Sequence, residues 1–236
     1  MDKLVKLYKT SHGLMYLLET DTVVSEKLRS TGDFAPDEKV FLSELITQGD
    51  TVLDVGANIG NHTRFFSQVV GSSGRVLSFE PQRFLFHILC ANVLLGPFRN
   101  VWTYRCAVGN ELGAVEVPVP NYERPNNYGG FSLSFATTKE AGEITTIDNV
   151  NPDNCHLIKI DVEGMELSVL QGAFKTIQRT RPFIYFEDNR PQLREELLKY
   201  AHEVLEYRLY RHRENVFGHH REVPAPPVAT TLKEIN

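Results

Sequence analysis

The sequence predicts an α/β fold: a doubly wound, mostly parallel sheet with helices on both faces. Three observations carry that expectation. Between residues 50 and 188, short β-rich apolar runs alternate with stretches of helical periodicity. One of those runs leads straight into a glycine-containing turn and then a helix, the connection such sheets use at their carboxyl edge. The chain has 236 residues, of which 42% are apolar, enough to bury a core of this kind.

The elements follow in order. Residues 50–55 (DTVLDV) form a buried-strand run. Residues 61–70 place Phe65, Phe66, Val69 and Val70 on one helical face, with Gly71 at the helix end. Residues 75–80 (RVLSFE) are a second strand, and 84–95 a helix closed by Gly96-Pro97. Residues 101–108 are a third strand and 156–161 (HLIKID) a fourth. Residues 163–178 read as a helix with Leu167, Val169, Leu170 and Phe174 inward, 183–187 as a fifth strand, and 191–200 as a helix. His87 and Trp102 read as packing residues.

Three regions stand apart. Residues 1–49 are a lead-in with a helix around 37–46. The main domain begins at residue 50 and runs to 218, interrupted by an insertion at 118–135. Within that insertion, residues 121–134 offer Tyr122, Tyr128 and Phe131 as flat faces, Arg124, Asn126 and Asn127 as hydrogen-bonding groups, and Gly129-Gly130 as a hinge. That makes a substrate lid the natural expectation. Residues 219–236 form a Pro-rich tail expected to be flexible.

Composition narrows the function. Lys+Arg number 25 against 30 Asp+Glu, a net charge of −5, and no basic nucleic-acid surface stands out. No stretch approaches the roughly 20 apolar residues of a membrane span. The amino-terminal residues show no signal-peptide core. Cys90, Cys106 and Cys155 are odd in number and widely spaced, which suits neither a disulfide framework nor a metal cluster. The expectation is a cytoplasmic protein.

The chemistry concentrates at the strand tips. Asp54 ends the first strand and precedes Val55-Gly56-Ala57-Asn58-Ile59-Gly60. There Gly56 permits a tight turn, Gly60 a close approach, and the following helix start offers free N–H groups. Glu80 closes the second strand, 26 positions after Asp54, where an acid is placed to take both ribose hydroxyls of a nucleotide. A dinucleotide and S-adenosylmethionine both fit this outline. The dinucleotide fingerprint needs a glycine where Asn58 stands. The acidic rim of Asp54, Glu80, Asp161 and Glu163 repels a pyrophosphate and suits a sulfonium.

LDVGANIGNHT, GRVLSFEP, CAVGN and LIKIDVEGMELSVLQGA occur in this order, and in them the sequence resembles the FkbM family of S-adenosylmethionine-dependent methyltransferases. The resemblance runs from about residue 31 to 218. It implies the Rossmann-like class I methyltransferase fold, a seven-stranded sheet ending in an antiparallel strand, with segments 206–212 and 222–229 as the final hairpin. It implies O-methylation of a sugar, glycan or natural product. Asp54, Gly56, Ala57, Asn58 and Gly60 would cradle the methionine half of the cofactor. Glu80, followed by Pro81, would hold the ribose, and Ala107 and Val108 would flank the adenine. His62, at the helix start, would make a polar contact to cofactor or substrate.

Asp161 and Glu163 are the candidate catalytic acids, since an acid ending a strand at this edge points into the ligand crevice. Glu166 reads as a helix-start partner, and Lys159 as a salt-bridge partner of Asp161. Asp161, Asp188 and Asn189 together are similar to the magnesium site of catechol O-methyltransferases, so a bound Mg²⁺ ion is a further expectation. Gly164 departs from that pattern, because those enzymes carry a lysine there. The FkbM motif asks only for an acid near the end of the fifth strand, and Glu187 supplies one. His212, His219 and His220 read as bland. Two other functions are compatible with the turn and the acids: a non-catalytic cofactor-binding module, and a nucleotide-sugar or nicotinamide oxidoreductase. The second would need a Tyr-x-x-x-Lys pair or another glycine fingerprint, and neither is present.

Overall fold

The computed structural model describes residues 4–132 and 138–235. The chain opens with a hairpin, β1 (Val5–Thr10) and β2 (Gly13–Leu18), followed by α1 (Val24–Thr31) and α2 (Pro36–Ser43). Next come β3 (Thr51–Val55), α3 (Asn61–Val70), β4 (Arg75–Phe79), α4 (Arg83–Leu94) and β5 (Val101–Tyr104). Then follow β6 (Cys106–Val108), β7 (Gly113–Pro118), β8 (Lys139–Thr145), α5 (Ile147–Val150) and β9 (Leu157–Ile160). The remainder is α6 (Glu166–Gln171), α7 (Phe174–Thr180), β10 (Phe183–Glu187), α8 (Pro191–Lys199), β11 (Tyr207–His212), β12 (Asn215–His220) and β13 (Lys233–Ile235).

The main sheet has the order β13-β11-β12-β10-β9-β3-β4-β5. The five strands from β10 to β5 pair in parallel, while β12, β11 and β13 join through antiparallel pairings. The expected doubly wound α/β architecture is therefore present, with eight strands instead of seven. The eighth is β13, which pairs with β11 at the sheet edge. The final hairpin is Tyr207–His212 with Asn215–His220, so residues 222–229 are not its second strand. Where a flexible tail is expected, β12, a 3₁₀ turn at Pro227–Thr231 and β13 lie on the sheet, and Ala229 is buried.

Strand alternation sorts the core into two layers. Leu53, Val55, Ile158 and Ile160 face α6 and α7 through Val169, Leu170 and Ile177. Val52, Val76 and Leu157 face α2 and α3 through Phe41, Leu42, Phe66 and Val70. A third cluster joins the β1–β2 hairpin, α1 and α4 through Leu17, Leu28, Leu85 and Tyr128. The buried Arg64 guanidinium ties that hairpin down, donating to the carbonyls of Asn92 (2.6 Å), Leu14 (3.2 Å) and His12.

The helix expected over 163–178 breaks at Gly172. A Cβ there would stand 1.9 Å from the Gly109 carbonyl oxygen, so chain crosses chain too closely for any side chain. Beyond the break Phe174 is exposed, not inward, and Trp102 on the edge strand is half exposed beneath the Arg75 guanidinium. His87 is exposed as well. The stretch between β6 and α5 builds a second sheet of order β6-β8-β7. Strand order reverses at β3, with β4 and β5 on one side and β9 and β10 on the other, so the crevice opens beyond the tips of β3 and β9.

Candidate active site

The turn after β3 is built on the backbone. Gly56 and Ala57 both donate to the Phe79 carbonyl, at 3.0 and 2.9 Å. Gly56, Asn58 and Gly60 all have positive φ, at 86°, 52° and 89°. A Cβ on Gly56 would fall 1.8 Å from the Asp161 carbonyl oxygen, so only glycine lets β3 and β9 close at their tips. A Cβ on Gly60 would stand 2.7 Å from the Leu89 side chain of α4, so this glycine also makes room for helix packing.

Glu80 follows β4 and is buried. Its Oε2 accepts from Asn58 N at 2.9 Å and its Oε1 from Gln82 N at 2.8 Å. Burial pushes its carboxyl up to about 7, with Asp161 and Asp54 adding to the rise and the two N–H donors opposing it. Each oxygen keeps a lone pair for a further donor.

Two cavities flank this acid. The first is an open pocket of about 470 Å³, solvent at its mouth included, walled by Phe79, Pro81, Cys106, Ala107, Val108 and Met165. The second is an open pocket of about 770 Å³, solvent at its mouth included, and presents Asn58, Asn61, His62, Asn127, Lys159 and Glu187. Gly56, Glu80, Gly129, Asp161 and Glu163 line both. Ala57 lines the second.

Asp54 lines neither. It is fully buried behind the turn, accepting from Thr63 Oγ1 at 2.6 Å, with Lys159 Nζ 4.0 Å from its Oδ1. Lys159 is also buried and reaches Asp161 Oδ2 at 3.0 Å. Burial opposes its charge, yet Asp161, Asp54 and Glu38 outweigh that and raise its pKa above the ordinary lysine value. Glu163 (φ 56°) pairs with Arg190 at 3.0 Å. Burial, Asp161 and Glu166 raise its pKa against Arg190. Glu166 accepts from Gly164 N at 3.1 Å, the local role expected of it.

The expected metal set does not assemble. Asp188 is buried and turned from the crevice, held by Arg194 Nε at 2.9 and 3.0 Å and Arg211 Nη2 at 2.7 Å. Asn189 is exposed and lines neither cavity. The reason is the two-residue period of a strand. Phe186 pairs with Ile160, so the next residue on each strand, Glu187 and Asp161, sit side by side and Asp188 swings to the opposite face. Among the described residues, Asp161, Glu163 and Glu187 bring carboxylate oxygens within 4.8 Å of one another. Burial, then Asp161, Glu163 and Glu166, push Glu187 up to about 8, against Lys159.

The loop expected as a lid is fastened to the lead-in. Thr22 N donates to the Asn126 carbonyl at 2.9 Å, and Thr20 Oγ1 to that of Tyr122 at 2.6 Å. Tyr128 is buried, and Gln82 bridges its carbonyl and the Tyr122 hydroxyl. Gly129, Gly130, Asn127 and Phe131 are the residues that reach the cavities, while residues 133–135 of the insertion lie outside those described. His212 stacks on Phe41 with ring centroids 4.2 Å apart, and His219 and His220 are buried on β12. Sequence reasoning missed Glu38, whose Oε1 lies 3.3 Å from His62 Nε2. It sits on the lead-in, with no local pattern to mark it.

The family model for the methyltransferase FkbM domain matches residues 54–217. The chain belongs to the FkbM methyltransferase family. That places it among methyltransferases and not among nicotinamide oxidoreductases. The structure of an FkbM methyltransferase from Methylobacillus flagellatus is similar, with TM-score 0.54 and 21% identity over 75% of this chain. The chain spans 45% of that protein's length. A candidate rRNA methylase from Clostridium thermocellum superposes with TM-score 0.52 and 12% identity, covering 88% of this chain and 98% of that one. A candidate methyltransferase from Streptococcus mutans, solved in complex with SAH, gives TM-score 0.51 and 12% identity, covering 77% and 94%. No curated protein matches the sequence. Among the described residues, no helix is long and apolar enough to cross a membrane.

Proposed function

We propose that this FkbM-family chain moves a methyl group from S-adenosylmethionine to a hydroxyl oxygen of a sugar, glycan or natural product. The observation that carries the reading is the shared wall between the two cavities: Gly56, Glu80, Gly129, Asp161 and Glu163 border both. A donor held in one and an acceptor in the other would meet there.

The residues suit the donor. Glu80 is a buried acid with lone pairs left for two ribose hydroxyls. Pro81, Ala107 and Val108 supply the apolar wall that a flat adenine needs. The Gly56-Ala57-Asn58 turn would receive the methionine half, with Asp54 and Gly60 holding the turn in place from behind. The acidic rim suits a sulfonium. Bound here, the donor supplies an already activated methyl group.

The second cavity suits a polyhydroxylated acceptor. Asn61, Asn127 and Glu187 offer hydrogen-bonding groups, and Phe34, Val23 and Val24 one apolar side. Asp161 and Glu163, each fixed by a cation, would orient the acceptor and balance the sulfonium charge.

The test is transfer of tritiated methyl to methyl glycosides, glycolipids and polyketides, with and without magnesium. Label in an alkali-stable methyl ether is the expected result. Label found only on nitrogen or carbon, or on no acceptor, overturns the hydroxyl assignment.

A further inference from the structure

We infer that His62, oriented by Glu38, is the group that takes the acceptor's hydroxyl proton. This rests on the reading of the second cavity as the acceptor space. His62 stands in the first turn of α3, on the wall of that cavity, and is itself buried. Glu38 comes from α2 in the lead-in, and its Oε1 is 3.3 Å from His62 Nε2. The two are close without forming an aligned hydrogen bond, and such contacts tighten when a site fills.

The carboxylate is fixed from behind. Asn215 Nδ2 donates to Glu38 Oε2 at 3.4 Å and to the Tyr185 hydroxyl at 3.0 Å. Burial works against the charge of Glu38, but His62, Lys159 and His212 outweigh it and hold the carboxyl below its ordinary range. It is therefore a carboxylate at neutral pH.

Elimination points the same way. Asp161 and Glu163 each have a carboxylate oxygen occupied by a cation at 3.0 Å. Burial and the neighbouring Asp161, Glu163 and Glu166 push the Glu187 carboxyl up, so it holds its proton more tightly than an ordinary carboxyl, and the acids around Lys159 favour its charged form. Glu80 is engaged by two backbone N–H groups. Among the described residues on this wall, the imidazole is what remains. The arrangement resembles that of a base with a carboxylate beside its far nitrogen: Glu38 stands next to Nε2, which leaves Nδ1 to receive the proton.

The step balances. The acceptor oxygen bonds to the methyl carbon as the carbon–sulfur bond breaks, with that bond's electron pair staying on sulfur. The hydroxyl proton passes to the lone pair on His62 Nδ1. The positive charge given up at sulfur reappears on the imidazolium, beside the Glu38 carboxylate.

Two measurements test this. Long-range ¹⁵N spectra of histidine-labelled protein are expected to show neutral His62 protonated at Nε2, with that preference lost in Glu38→Gln. A ring protonated at Nδ1 overturns the inference without any acceptor. The second measurement is methyl transfer to glycerol and to methyl glycosides. His62→Gln is expected to lower kcat by about 100-fold or more, and Glu38→Gln by about 10-fold, with S-adenosylhomocysteine affinity within threefold of the parent in both. Added imidazole should restore at least fivefold of the activity lost in His62→Ala, which a merely structural histidine would not allow. A His62→Gln enzyme within threefold of the parent, or a loss traced wholly to cofactor affinity, sinks the assignment while leaving hydroxyl transfer standing. Failure of the parent itself to methylate any of these hydroxyls removes the proposed activity and this role together.

Discussion

The carbonyl oxygen of Asp161 lies 1.8 Å from the point where a Cβ on Gly56 would stand. Backbone meets backbone here, between the turn after β3 and the tip of β9, and neither side can rotate away. Gly56→Ala should therefore cost roughly 3 kcal/mol or more, the sum of a positive-φ penalty and forced backbone movement. Gly32 makes the control, with a similar φ of +80° and nothing within 4 Å of its Cβ position. Gly32→Ala should cost only about 1–2 kcal/mol. Urea unfolding of the two variants separates space from conformation. Equal losses would show that the crossing at Asp161 does not matter.

Glu80 should make cofactor binding depend on pH. Its carboxyl is raised by burial to about 7. A raised acid holds its proton longer in the folded chain than in the unfolded one, so the free protein loses stability as pH rises from about 4.5 through about 7. Ribose hydroxyls donate to the ionised form, so S-adenosylhomocysteine should bind more tightly at pH 8 than at pH 6, and protect more strongly against heat there. Titration calorimetry at both pH values checks this. Glu80→Ala should weaken binding at least tenfold and flatten its pH dependence across this range. An unchanged affinity would remove the ribose assignment.

The parts of this architecture that were legible in the sequence are those carried by local pattern. The runs at β3, β4, β9 and β10 are buried on both faces and read as near-continuous apolar stretches. The Gly56 turn and the acid at Glu80 sit at fixed offsets from those runs. By contrast, β8 (KEAGEIT) is exposed or only partly buried at every position and has no apolar run. The β1–β2 hairpin gains its burial from the neighbouring α1 and from α4, which lies far along the chain. Asp188 shows the sharpest limit. Composition puts an acid-rich tip on the fifth strand, but the register with Ile160 decides that Glu187 faces the crevice and Asp188 its arginines.

Asp188 should matter for folding and not for the cofactor. Its carboxylate is buried, while Arg194 and Arg211 remain partly exposed and can be rehydrated once unpaired. Solvent screening of the arginines limits the loss, so Asp188→Ala should cost about 1–3 kcal/mol by urea unfolding. S-adenosylhomocysteine affinity should stay within threefold of the parent. A tenfold loss of affinity with unchanged stability would put this residue back at the ligand.

Lys159 joins the buried Asp54 to the crevice acid Asp161, at 4.0 and 3.0 Å. The two carboxylates differ in what they can do without it. Asp161 is partly exposed and can turn to water, whereas Asp54 is sealed in and keeps only the Thr63 hydroxyl, with Oδ1 otherwise unpartnered. Lys159→Met should therefore cost about 3 kcal/mol or more, most of it from the uncompensated charge on Asp54. Neutralising that charge should recover part of the loss. The double variant Asp54→Asn/Lys159→Met keeps an acceptor for Thr63 and should be more stable than Lys159→Met alone, with a coupling of at least ~1 kcal/mol between the two sites. If Lys159→Met costs the same in both backgrounds, the lysine does not act through Asp54, and its weight rests on Asp161 alone.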